Sequence, residues 1–140
     1  LLQGARLREG MAVLSGARCL GRIEWAQGDL GLAVPLSRPG SVLPMLWWGG
    51  EDQRVRAFVV EGLGSDWHSD RFRLVHPTVL EPGFLEEGLV FTGAVGRRFP
   101  AGLPITALFE LVGKTLVFTD GTLRSWPAEV EISALAEEGQ

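Results

Sequence analysis

Thr115-Leu-Val-Phe-Thr-Asp-Gly-Thr-Leu-Arg-Ser-Trp126 is the stretch from which a fold class follows. Two runs of β-formers flank Asp120-Gly121, and Asp-Gly suits a type I′ turn because both central residues take positive φ. A two-residue loop sets the register: Thr119 faces Thr122, Phe118 faces Leu123, Val117 faces Arg124 and Leu116 faces Ser125. Directly opposed side chains share a face. Leu116, Phe118 and Leu123 therefore form an apolar face, and Thr119, Thr122 and Arg124 a polar one. Downstream, Ala128, Val130 and Ile132 also read inward, although they differ in parity from Leu123. A bulge or bend at Trp126-Pro127 reconciles them, since proline removes a ladder donor.

Just upstream, Leu103–Val112 fits two descriptions. Pro104 near the start, Gly113 past the end and apolar residues at 105, 108, 109 and 112 suit a short helix. A strand running directly into the hairpin is the preferred reading. Toward the N-terminus the same grammar of short apolar runs and turn residues recurs. Leu1–Gly10 is an arm with a weak helical or irregular pattern. Met11–Leu14, Arg18–Trp25 and Leu30–Val34 form a meander, with Cys19, Ile23 and Trp25 on one face and Leu30, Leu32 and Val34 inward. Met45–Trp48 is a strand that stops at Gly49-Gly50. Arg54–Val60 is apolar on both faces, as expected of a strand covered on both sides. Arg71–His76 alternates Phe72 and Leu74 against Arg71 and Arg73. One helical turn around Phe84–Glu87 precedes a strand over Leu89–Val95, and Ala134–Gln140 is a frayed acidic tail.

These elements give a single all-β domain over residues 1–140, a closed or partly open antiparallel β-barrel or a sandwich of about 8–10 short strands, with at most one or two short helical turns. Gly88-Leu-Val-Phe-Thr-Gly-Ala-Val95 followed by Gly102-Leu-Pro-Ile105 resembles part of the small β-barrel of translation GTPases. No GTPase motif accompanies it, so the resemblance implies no membership of that family.

A chain of 140 residues with 46% hydrophobic and 21% charged content can bury one proper core. Its net charge of −4 argues against duplex nucleic acid as a partner, because displacing counterions needs a basic stripe. One cysteine, Cys19, excludes an internal disulfide and points to a small core residue. No run is long enough for a membrane helix and no signal peptide is visible, so a soluble protein, cytoplasmic or part of a virion or multi-protein assembly, is expected. Asn and Tyr are absent and Lys114 is the only lysine. Those residues share AT-rich codons, which implies a GC-rich bacterial or phage source. A start at Leu1 is expected of a processed form or an excised piece.

Two clusters carry potential chemistry. Asp66, His68 and Asp70 alternate along an extended stretch and, with His76, would make a metal site or a carboxylate-oriented His base for hydrolysis. The competing description is a polar loop that caps its own backbone. Trp47-Trp48 is the second: neighbours on a strand point to opposite faces, so at most one indole is buried and the other is free to anchor a partner or stack on a sugar. Trp67 and Trp126 are the other expected surface tryptophans, and Trp25 is expected in the core. Arg97-Arg98 beside Phe99 would either contact a phosphate or an acidic partner, or form a solvated turn. Gly113-Lys114-Thr115 lacks the spacing of a phosphate loop.

Catalytic residue types are scarce and tryptophans plentiful. The expected function is a non-catalytic protein–protein interaction or structural module, one component of a larger assembly, with no cofactor. Its partner is another protein or a second copy, met through Trp47, Trp48, Trp67, Arg71, Arg73 and Trp126. The alternatives are a metal-dependent hydrolase-type site at Asp66, His68, Asp70 and His76, and a tryptophan-based carbohydrate-binding module.

Overall fold

The computed structural model describes residues 2–3, 7–50, 53–65, 69–75, 83–96, 98–119 and 131–132. Twelve strands are described: β1 (Leu2–Gln3), β2 (Ala12–Ser15), β3 (Arg18–Gln27), β4 (Leu30–Pro35), β5 (Val42–Gly49), β6 (Arg54–Ser65), β7 (Asp70–Leu74), β8 (Leu89–Thr92), β9 (Pro104–Thr106), β10 (Phe109–Val112), β11 (Thr115–Phe118) and β12 (Glu131–Ile132). They form a five-stranded sheet ordered β1-β4-β3-β2-β12 and a seven-stranded sheet ordered β10-β11-β7-β6-β5-β8-β9. The protein is all-β, as the turn grammar requires, and no helix among the described residues is long and apolar enough to cross a membrane.

The larger sheet is a nearly closed antiparallel barrel, and the chain itself enforces the closure. β9 and β10 occupy its two opposite edges, yet only Ala107 and Leu108 separate them. Three Cα steps reach at most about 11 Å. A flat sheet of this width would hold its edge strands about 29 Å apart at the usual inter-strand spacing. The sheet must therefore curl until the edges meet. Leu103–Val112 is thus extended, as preferred, but broken at a corner: β9 pairs with β8, and β10 pairs with β11. Thr106 fixes the corner, its hydroxyl accepting from the Leu108 N–H at 2.9 Å.

The hairpin expected at Asp120-Gly121 is replaced by another. Thr115–Phe118 pairs with β10 through Gly113-Lys114, with Gly113 at φ 64°, and its other edge pairs with β7. Both edges of β11 are filled, by β10 and by β7. Residues 122–126, with Asp120-Gly121 and Trp126-Pro127, lie outside the described ones. The expected inward face of this strand holds nonetheless. Leu116 and Phe118 are fully buried, and Phe118 packs on Phe72 with ring centroids 4.7 Å apart.

The meander is present as β2-β3-β4, but half of its facing is reversed. The register shifts between Ile23 and Trp25, and one extra residue flips everything beyond it. Ile23 stays buried with Met11 and Val13, whereas Trp25 stands opposite Leu32 on the open side. Trp25 is therefore not core: it is 43% exposed, with Leu30 and Leu32 exposed beside it, and the close-packed positions of β4 are Gly31 and Ala33. The N-terminal arm is partly a strand, since β1 pairs with β4. Residues 83–88 are turns and bends rather than a helical turn, with Leu85 buried at φ 55°.

One apolar cluster unites the two sheets, joining Ala12, Cys19, Leu20 and Leu36 to Met45, Trp47, Phe58, Phe72 and Phe118. The β4–β5 connection is laced to the barrel by Gly62 N–H donating to the Ser41 carbonyl at 2.7 Å and Gly64 N–H to Ser37 at 2.7 Å. A Cβ on Gly62 would lie 2.7 Å from the Ser37 carbonyl oxygen and closer still to that of Arg38. Gly62→Ala should thus force two backbone segments apart and destabilise the fold by about 1–3 kcal/mol in chemical denaturation. Burial pushes the Cys19 thiol up to about 12 against a smaller opposing effect of its hydrogen bond to the Gly21 carbonyl. The native thiol should therefore resist alkylation at pH 8 and react on unfolding. The unfolded chain releases this proton first, so stability should fall as pH rises from about 9 toward about 12.

Candidate protein-interaction surface

The pleat of β5 decides where the paired tryptophans go. Leu43, Met45, Trp47 and Gly49 point into the barrel, and Val42, Pro44, Leu46 and Trp48 point out. Trp47 is 1% exposed. Its indole N–H donates to the Glu87 carbonyl at 3.0 Å, Phe84 meets it edge-on at 5.4 Å, and the Arg56 guanidinium lies over its ring at 5.4 Å. Two glycines make room: a Cβ on Gly49 would lie 2.8 Å from the Trp47 ring, and one on Gly88 3.0 Å from its nitrogen. Trp47 therefore has no surface to offer a partner. Trp48, 38% exposed, does, while its indole N–H is held by the Gln53 carbonyl at 3.1 Å.

Around Trp48 the outer face of the barrel is apolar over four strands. Cross-strand pairing sets Trp48 between Leu89 of β8 and Val55 of β6, Leu46 between Phe91 and Ala57, and Pro44 beside Val59, while Pro104 of β9 follows Phe91. Val55 is 56% exposed, and no charged side chain interrupts these three rows; the next row sets Val42, 54% exposed, opposite Glu61. The expectation that Arg54–Val60 is covered on both sides is thus corrected. Phe58 and Val60 fill the barrel, and the other face is open. Sequence reasoning missed this surface because it took an apolar strand face to imply a cover. The two-faced apolar pattern of β5 and β6 was its only signal.

The border of the apolar rows is charged. Arg71 and Arg73 of β7 project outward as their alternation with Phe72 and Leu74 implies, and Arg73 pairs with Glu61 of β6. At the start of β7, Asp70 is completely buried and accepts a hydrogen bond from the Ser37 hydroxyl at 3.0 Å, tying β7 to the β4–β5 connection. Asp70 thus has a structural partner. The other members of its expected cluster, Asp66, His68 and His76, lie outside the described residues, as do Trp67 and Trp126. Among the described residues no group of three or more His, Cys, Asp or Glu side chains is arranged to hold a metal.

No protein-family model matches this chain, and no curated protein does. Solved structures do. MreC of Listeria monocytogenes superposes with a TM-score of 0.58 at 17% identity over 84% of this chain, and MreC of Pseudomonas aeruginosa with 0.58 at 19% identity over 85%. The chain spans 57% of the first structure's length and 77% of the second's. The likeness establishes a shared β-barrel fold. The exposed apolar rows are a property of this chain's own residues.

The two neighbouring indoles should behave oppositely on truncation. Trp47→Ala should cost about 3–5 kcal/mol in denaturant unfolding, whereas Trp48→Ala should change stability by no more than about 1 kcal/mol.

Proposed function

We propose that this protein is a non-catalytic interaction module, one component of a larger bacterial or phage assembly, and that it docks a protein partner on the outer face of β9-β8-β5-β6. The observation that carries this reading is the uninterrupted apolar surface of Pro44, Leu46, Trp48, Val55, Ala57, Val59 and Phe91. An apolar sheet face left in water is costly in proportion to its area, and patches of this kind mark sites where another macromolecule supplies the missing layer. Trp48 is the natural anchor, being large, held at its indole N–H and flanked by the apolar Val55 and Leu89. Arg71 and Arg73 border the patch, where they act on orientation and association rate more than on affinity. Trp67 and Trp126 belong to the same reading as further contacts.

The likeness to MreC supports the reading only through the shared β-barrel fold. No observation among the described residues favours the hydrolase or the sugar-binding alternative. The Trp48 indole N–H is taken by the Gln53 carbonyl, and the cross-strand neighbours of Trp48, Val55 and Leu89, carry no acidic group.

A photo-crosslinking residue placed at Val55 in cells of the source organism should capture a discrete protein adduct, a second copy included, and the same residue at Glu110 should not. Trp48→Ala should reduce that adduct severalfold without unfolding the chain. Equal yields at positions 55 and 110, or an adduct indifferent to Trp48, would overturn the proposal.

A further inference from the structure

Away from the apolar rows, a cleft of about 420 Å³ opens between the end of the N-terminal arm, the middle of β3 and the loop after β8. Glu9 and Gly10 line one wall, Arg22, Ile23 and Glu24 another, and Val95, Gly96 and Arg98 the third. Arg98 belongs to the Arg-Arg-Phe stretch and enters the cleft with its Cβ packed 3.8 Å from the position a Gly10 side chain would take. Its Nε is buried and has no hydrogen-bond partner. Arg22, half-buried, sits on the facing strand, where burial first and the Arg38 charge second lower its affinity for its proton. A guanidinium N–H held out of water without a partner is costly to leave unsatisfied. The unpartnered Arg98 Nε and the half-buried Arg22 lie on one cleft, and an anion seated there would neutralise both.

The charge of the lining selects the anion. Glu24 is already paired with Arg38, which leaves Arg22 and Arg98 opposed by Glu9 alone. The lining thus carries one uncompensated positive charge. A carboxylate closes that balance, whereas a phosphate dianion leaves the cleft negative beside Glu9. Carboxylate geometry also suits two guanidinium forks, each donating paired N–H groups to the oxygens. We infer that the Arg22–Arg98 cleft is a binding site for a single carboxylate of a peptide, either a Glu or Asp side chain or a chain terminus. This site is separate from the outer sheet face and does not rest on the function proposed for it.

The test follows the Arg22 and Arg98 Nε–H signals of the isotope-labelled full chain by NMR. Three probes are titrated: N-acetyl-glutamate methylamide, N-acetyl-alanine with a free carboxylate, and N-acetyl-glutamine methylamide as the uncharged control. Saturable shifts of both arginine signals with at least one carboxylate probe, and none with the glutamine probe, are expected. The tighter of the two carboxylates identifies a side chain or a terminus as the natural source. Arg98→Gln should weaken binding at least about tenfold, and Glu9→Gln should strengthen it. The wild-type titration needs no variant to fold. Absence of a response, an equal response to the glutamine probe, or tighter binding of inorganic phosphate than of either carboxylate would overturn the assignment.

Discussion

Two adjacent indoles on opposite sides of one pleated strand organise this molecule. Trp47 plugs the barrel, held by a hydrogen bond to Glu87, an edge contact with Phe84 and an overlying arginine, in a space that two glycines keep free. Fixing Trp47 inward fixes Trp48 outward, because side chains alternate along a strand. The register of β5 then lines up Leu46 and Pro44 with Trp48, and pairing to β6 and β8 carries the same parity across the sheet. The apolar core and the apolar exterior are two readings of one register. A slip of a single residue would exchange them.

Closure gives that register a rigid frame. The corner at Ala107-Leu108 joins the two edges of the seven-stranded sheet, so the barrel is formed by a segment that changes partners midway. The five-stranded sheet packs on the same cluster through Ala12, Cys19, Leu20 and Leu36, and Ser37–Asp70 and Gly62 lock the connection between them. The outer face of β5, β6 and β8 is thereby presented by central strands, the least compliant part of a sheet.

How much of this was legible depended on how local each determinant is. Alternation read correctly on β7 and β11, at Phe72 and Leu74 and at Leu116 and Phe118. It failed at β3, where the register shift after Ile23 turned Trp25 outward because a bulge leaves no composition signal, and at β4, where the small Gly31 and Ala33 rather than Leu30 and Leu32 take the inward parity. The Asp-Gly signal proposed a partner for β11, but long-range pairing with β7 and the nearer Gly113 turn took both edges. The surface was legible in part. The Trp47-Trp48 split and the outward Arg71 and Arg73 follow from period-two geometry alone. The apolar rows around Trp48 and the meeting of Arg22 with Arg98 depend on which strands and loops become neighbours, which no window of sequence records.

The division of labour between the two indoles is tested most directly by fluorine NMR of the 5-fluorotryptophan-labelled chain. Signals are assigned with Trp47→Phe and Trp48→Phe, and each is challenged with D2O and a soluble paramagnetic agent. The Trp47 signal should be indifferent to both, and the Trp48 signal should respond to both. Two shielded indoles, or an exposed Trp47, would contradict the account.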